Sequence, residues 1–66
     1  MNDNIEIKKK KILEILFSEK DILNYKYFTY LEQINELNTE SDIVIWIHKY
    51  RYIFTKYGRE DIDKLL

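Results

Sequence analysis

His48 is the single histidine in this chain of 66 residues, and it is the only candidate general base. A nucleophilic triad needs such a base to be oriented by a carboxylate and to lie beside a hydroxyl or a thiol. On a helix, its neighbours at three and four residues include no carboxylate: Val44, Ile45, Arg51 and Tyr52. We therefore interpret His48 as an exposed or interface residue and expect the protein not to be an enzyme.

Metal and cofactor sites are disfavoured by the residue types present. The chain has no cysteine, so neither a disulfide nor a thiolate zinc site can form. Asp61 and Asp63 supply too few oxygen ligands for a hard cation, and we interpret them as stabilising a helix N-terminus through its dipole. A single glycine cannot build a glycine-rich phosphate loop. We expect no metal, no cofactor and no small-molecule substrate.

Basic and aromatic residues are interleaved, without any acid, between residues 48 and 59. Cations can hold a nucleic-acid backbone while neighbouring aromatic rings stack on bases. The candidate nucleic-acid contacts are Lys49, Arg51, Lys56 and Arg59. The alternative is a structural role, because acids at the start of a helix and cations at its end match the helix dipole.

A second apolar stripe lies on the same predicted helix. If Ile43 and Ile47 face the core, then Val44, His48 and Tyr52 step by four residues along another face, with Ile45 beside them. A helix that is apolar on two sides is usually buried on two sides. We therefore predict a protein interface at Val44, Ile45, His48 and Tyr52. The alternative is that the first helix or the C-terminal turn of the same chain covers this stripe.

Helical spacing dominates the whole sequence and predicts one all-α domain over residues 1–66. Three helices are expected at about 4–17, 19–37 and 40–57, followed by a short helical turn at 60–66. Ser18 with Asp21, and Thr39 with Asp42, are predicted to cap the second and third helices, and Gly58 to end the third helix in a left-handed conformation. The β-branched run 43–47 favours a strand locally, but no other segment alternates convincingly to pair with it.

The predicted core faces follow from the same spacing. The first helix contributes Ile5, Ile12, Leu13, Leu16 and Phe17; the second contributes Leu23, Tyr27, Tyr30, Ile34 and Leu37, widened by Phe28 and Leu31; the third contributes Ile43, Ile47, Tyr50, Phe54 and Tyr57, flanked by Trp46 and Ile53. The last turn, opened by Glu60 and Asp61, carries Ile62, Leu65 and Leu66.

Residues 41–51 resemble the recognition helix of transposase-type helix-turn-helix domains. The family's helix often runs Ser-x-Ile/Val-x-x-Trp-Ile/Val-x-Lys/Arg-Tyr-Lys/Arg. The positions that it packs into its core are here Ile43, Trp46, Ile47 and Tyr50, and its basic positions are Lys49 and Arg51. The resemblance implies a trihelical DNA-binding domain.

The sequence departs from that family where bases would be read. Val44 and Ile45 stand in place of polar residues, and two aliphatic side chains offer only methyl contacts to base edges. Glu40 and Asp42 lie beside them, and carboxylates repel phosphates. These departures favour a protein partner over DNA.

Composition bears on origin and partners. Ile, Lys, Asn, Tyr and Phe, which AT-rich codons encode, supply about half of the chain, and the net charge is only −1. So small a chain is marginally stable alone, which favours a homodimer or docking on a host protein. No run is long enough to span a membrane and no secretion signal begins the chain, so we expect cytoplasmic residence.

The leading hypothesis is a phage or mobile-element accessory protein that inhibits or modulates a host protein. The alternatives are a small helix-turn-helix DNA-binding regulator and, third, membrane-surface association through residues 8–11.

Overall fold

The computed structural model describes residues 3–66, so Met1 and Asn2, on which the expectation of no secretion signal partly rests, lie outside the described residues. The elements in chain order are α1 (Asp3–Ser18), α2 (Lys20–Leu23), α3 (Lys26–Asn35), α4 (Glu40–Tyr50), a 3₁₀ turn (Arg51–Ile53) and α5 (Lys56–Asp63). Residues 3–66 contain no strand, so the helical interpretation of 43–47 is correct. The predicted all-α class is confirmed.

α1 is the central helix, since it packs against α2, α3, α4 and α5. Its Ile12 and Leu16 are fully buried, as the spacing predicts. The nine buried hydrophobic residues of the described chain form one core: Ile12, Leu16, Leu23, Ile34, Ile43, Trp46, Ile47, Phe54 and Ile62. Two residues of the lysine run 8–11 also reach other elements, because Lys8 pairs with Glu40 and Lys9 donates to the Asn35 carbonyl.

The start of α4 follows the predicted capping box. The Asp42 N–H donates to the Thr39 hydroxyl at 3.1 Å, and the Thr39 N–H donates to the Asp42 carboxylate at 3.3 Å. These two contacts satisfy N–H groups that have no carbonyl partner in the first turn of a helix. The capping box therefore sets the beginning of α4 at Glu40.

The single helix predicted over 19–37 is interrupted near its start. Asn24 has φ 59°, in the left-handed region that Asn tolerates better than most residues, and it separates α2 from α3. The predicted cap at Ser18 is also wrong, because Ser18 is the last residue of α1 and its hydroxyl donates to the Ile15 carbonyl at 2.7 Å. The side chain of Glu19, the residue before α2, instead accepts hydrogen bonds at the start of α5.

The third predicted helix ends earlier than residue 57. α4 stops at Tyr50, the chain is extended at Phe54, and α5 begins at Lys56 behind Thr55. Gly58 lies inside α5 and does not have a positive φ, so the predicted left-handed cap is wrong, and α5 begins four residues before the predicted Glu60. The reason is a remote contact, because the Glu19 carboxylate accepts hydrogen bonds from the Thr55 N–H and hydroxyl, at 2.7 and 2.5 Å.

Three aromatic residues assigned to the core by spacing are exposed instead. Phe17, Phe28 and Tyr57 are 58%, 66% and 78% exposed. Phe17 is the second-last residue of α1, just before the chain turns, and Phe28 follows the break at Asn24, where the predicted helical register changes. Tyr57 lies in α5 rather than on a continuation of α4, so the periodicity that assigned it to the core does not apply.

Candidate functional site

The predicted protein-interface residues lie on the outer face of α4 and just beyond it. Ile45 and Tyr52 are 63% and 70% exposed, His48 is exposed, and Val44 is half-buried. Tyr52 belongs to the 3₁₀ turn, so the regular step of four residues ends at His48. We call these four residues the outer face of α4.

A groove of about 450 Å³ adjoins the outer face, between α3 and α4. Its lining comprises Gln33, Glu36, Leu37, Asp42, Ile45, Trp46, Lys49 and Tyr50. The Trp46 indole N–H donates to the Gln33 side-chain oxygen at 2.9 Å, and its ring centroid lies 5.2 Å from that of Tyr50. These contacts hold the floor of the groove in place.

The four candidate nucleic-acid contacts are not equivalent. Lys49 and Lys56 are exposed, whereas Arg51 and Arg59 are half-buried. The Arg51 guanidinium makes a two-point pair with the Asp63 carboxylate, with its Nε donating at 3.0 Å and its Nη2 donating to the other oxygen. Arg51 is therefore already bound within the chain.

Asp63 places a negative charge inside this basic cluster. Hydrogen bonds from Arg51 hold the pKa of the Asp63 carboxyl below its ordinary value, and the charges of His48 and Arg59 lower it further. The same pair raises the pKa of Arg51 above its already high ordinary value. Asp63 is the last residue of α5, so the predicted role of Asp61 and Asp63 at a helix N-terminus is wrong.

A second exposed aromatic surface was not predicted. Phe17, Tyr25 and Phe28 surround a groove of about 500 Å³ at the corner where α2 meets α3. The Lys20 Nζ lies 4.3 Å from the Phe17 ring centroid. The rings of Tyr27 and Phe28 pack edge to face, with their centroids 5.3 Å apart. The only sequence signal for this corner is Asn24, an asparagine inside an otherwise helical pattern.

Comparisons with protein-family models, with curated proteins and with solved structures found no match for this chain. Within residues 3–66, no helix combines the length and the apolar character needed to cross a membrane. The same residues contain no cluster of three or more His, Cys, Asp or Glu side chains arranged to hold a metal ion.

Proposed function

We propose that the protein is a non-enzymatic protein-binding module that acts as a homo-oligomer through Val44, Ile45, His48 and Tyr52. The observation that carries the proposal is the two-sided character of α4. One side of the helix supplies Ile43, Trp46 and Ile47 to the core, while Ile45 on the opposite side is 63% exposed. An exposed apolar surface of this kind on a folded domain is typical of a contact surface.

The balance of burial in the chain also supports binding to a protein. Nine hydrophobic residues form the core, and nine other large hydrophobic residues among the described ones are more than half exposed. Tyrosine is typical of residues that anchor protein interfaces, and Tyr52 lies at the edge of the outer face. Covering part of this surface would add apolar burial that so small a core lacks.

The proposed setting is the cytoplasm of a bacterial host, where the module would be a phage or mobile-element accessory protein that inhibits or modulates a host protein. Support for the setting comes from composition, since about half of the chain consists of residues that AT-rich codons encode. Support for modulation rather than catalysis comes from the surroundings of His48, because Asp63, a carboxylate whose pKa the His48 charge helps to lower, is hydrogen-bonded to Arg51.

Light scattering on a sizing column tests the proposal. The wild-type protein is expected to elute as a dimer, and the double variant Ile45→Asp/Tyr52→Asp as a monomer with unchanged helical circular dichroism. Burying two carboxylates without partners in an interface costs several kcal/mol, enough to abolish a contact of moderate affinity. Tyr25→Asp is the matched control, because Tyr25 is 74% exposed but lies at the α2–α3 corner.

Two outcomes would contradict this proposal. A wild-type protein that remains a monomer at high concentration would remove the self-association claim. A double variant that still dimerises would place the contact on another surface, with the corner around Phe17 and Phe28 as the next candidate.

The second candidate function is a small helix-turn-helix DNA-binding regulator. The observation that favours it is the exposure of Lys49 and Lys56 beside Tyr52 and Tyr57, on a chain where α3 and α4 are joined by a short turn. Binding to duplex DNA would weaken steeply with salt through released counterions. Absence of binding at low salt would remove this candidate.

A further inference from the structure

The charges along α4 and its groove change sign from one end to the other. Glu36, the residue that follows α3, and Asp42, in the first turn of α4, lie at one end, and Lys49 lies in the last turn. Ile45 lies between them and is 63% exposed. A surface with an acidic end, an apolar centre and a basic end is complementary to its own copy when that copy runs in the opposite direction.

Two of these charges are available for contacts with another molecule. Glu40 is paired with Lys8, and the Asp42 carboxylate accepts the N–H groups of Asn38 and Thr39. Glu36 and Lys49 are exposed and make no ion pair within residues 3–66. The Lys49 Nζ lies over the Tyr50 ring, 5.5 Å from its centroid, so this cation is held beside the aromatic lining of the groove.

The spacing along α4 is symmetrical about Ile45. Ser41 lies one helical turn before Ile45 and Lys49 lies one turn after it, each about 6 Å along the axis. A two-fold axis near Ile45 therefore places Lys49 of one copy against the Ser41 end of the other, where Glu36 lies. The groove beside Ile45 has an apolar floor of Leu37, Trp46 and Tyr50 that can receive the second copy's isoleucine.

We propose that α4 docks antiparallel against α4 of a second copy, with each Ile45 in the other copy's α3–α4 groove and each Glu36 paired with the other copy's Lys49. This proposal rests on the proposed function and specifies the arrangement of its self-association. Antiparallel packing also sets the positive end of each helix dipole beside the negative end of the other, whereas parallel packing would oppose like charges. A standard interface of about 800 Å² per copy would cover roughly a sixth of the 4716 Å² surface.

Charge reversal tests the arrangement. Glu36→Lys and Lys49→Glu each create two repulsive pairs in a homodimer, and each is expected to raise the dimer dissociation constant by a factor on the order of ten or more. Mixing the two single variants is expected to restore wild-type affinity as a heterodimer, because both of its pairs are again attractive. Sedimentation equilibrium measures the affinities, and a tag on one variant identifies the heterodimer.

Controls and outcomes separate this inference from the function on which it rests. Glu14→Lys and Lys10→Glu make the same charge changes at exposed positions of α1 and are expected to leave the affinity unchanged. Wild-type protein that is a strict monomer would overturn both proposals. A dimer that is insensitive to both reversals would overturn the antiparallel arrangement alone, and so would variants that weaken it but fail to recover on mixing. Restored affinity that declines with added salt supports the arrangement.

Discussion

α4 and α5 both begin behind a threonine, but the two helix starts are stabilised in different ways. At α4, Thr39 and Asp42 lie three residues apart and satisfy each other's N–H groups. At α5, the Thr55 hydroxyl lies 3.4 Å from the Gly58 N–H, and the backbone and hydroxyl of Thr55 are bound by Glu19, 36 residues earlier in the chain. The first cap can form in an isolated segment, whereas the second requires that the rest of the chain has folded.

This difference explains why α5 exists as a separate helix. It has only eight residues, and isolated helices of that length are unstable in water. Ile62 is fully buried in the core, and the Glu19 carboxylate stabilises the other end of the helix through its dipole. Gly58 leaves room for this carboxylate, because a Cβ there would lie 2.3 Å from a Glu19 carboxylate oxygen and would displace it.

The largest effect is expected from breaking the remote cap. Glu19→Ala should lower the free energy of unfolding by about 2 to 3 kcal/mol, because it removes two hydrogen bonds to a charged group and leaves the Thr55 N–H unpaired. Gly58→Ala should destabilise the wild-type protein by about 1 to 2 kcal/mol, because the added Cβ displaces the Glu19 carboxylate. In the Glu19→Ala background, the same Gly58→Ala change should cost less, because the closest clash is gone, only the 3.0 Å approach to the Phe54 Cβ remains, and alanine is the better helix former.

Urea unfolding followed by circular dichroism at one fixed protein concentration measures this double-mutant cycle. Asp21→Ala is the control, since it removes an exposed carboxylate only two residues away. If Gly58→Ala costs the same unfolding free energy in both backgrounds, the contact between Glu19 and Gly58 does not determine the stability of α5.

A smaller effect is expected from the local cap. Thr39→Ala should cost about 1 kcal/mol of unfolding free energy, the usual value for losing a threonine N-cap. Ser41→Ala, an exposed change in the same first turn, should be close to neutral. Thermal unfolding compares the two variants. A Thr39→Ala loss equal to that of Glu19→Ala would contradict the distinction between the local and the remote cap.

The smallest effect is expected at the other end of α5, where a remote contact is made at the surface. A carboxylate at a helix C-terminus is unfavourable, and Arg51 compensates Asp63 there. The lowered pKa of Asp63 means that the pair stabilises the fold above the unfolded-state pKa of about 3.9, and that this contribution is lost as the pH falls through the folded-state pKa. Asp63→Asn should therefore lower Tm slightly at neutral pH.

A pH series of melting curves checks that sign. The Tm difference between wild type and Asp63→Asn should be constant from pH 7 to about 5 and should shrink below about pH 4. Asp61→Asn is the comparison, because Asp61 has only an exposed partner, Lys64, at 3.5 Å. A difference that grows with acidity would mean that Arg51 does not stabilise the charged form of Asp63.

The features that were predicted correctly depend on neighbouring residues. The capping box at Thr39 and the burial of Ile12, Leu16, Ile43 and Ile47 follow from spacings of three and four residues. One group of features that were missed depends on a backbone break. The left-handed conformation of Asn24 exposes a corner with Phe17, Tyr25 and Phe28 that helical periodicity assigned in part to the core.

In the candidate site, too, one feature was predicted from neighbouring residues and another depends on a remote contact. The exposure of Ile45 follows from its place opposite the buried face of α4, and the sequence alone indicated it. The engagement of Arg51 by Asp63 was not predicted, because the chain had to turn back after Ile53 before α5 could bring the carboxylate to it. The sequence pattern therefore predicted the same role for Arg51 and Lys49. In the folded protein, Arg51 is bound to Asp63, whereas Lys49 is exposed.

The sequence by itself determined the helical class, the start of α4 and the two-sided character of that helix, because periodicity and capping operate within one or two turns. The tertiary structure decided where α4 ends, why Gly58 is inside a helix and which cations remain exposed. The physical reason is that a buried carboxylate needs hydrogen-bond donors, and Glu19 finds them at Thr55, at a distance along the chain that no local pattern records.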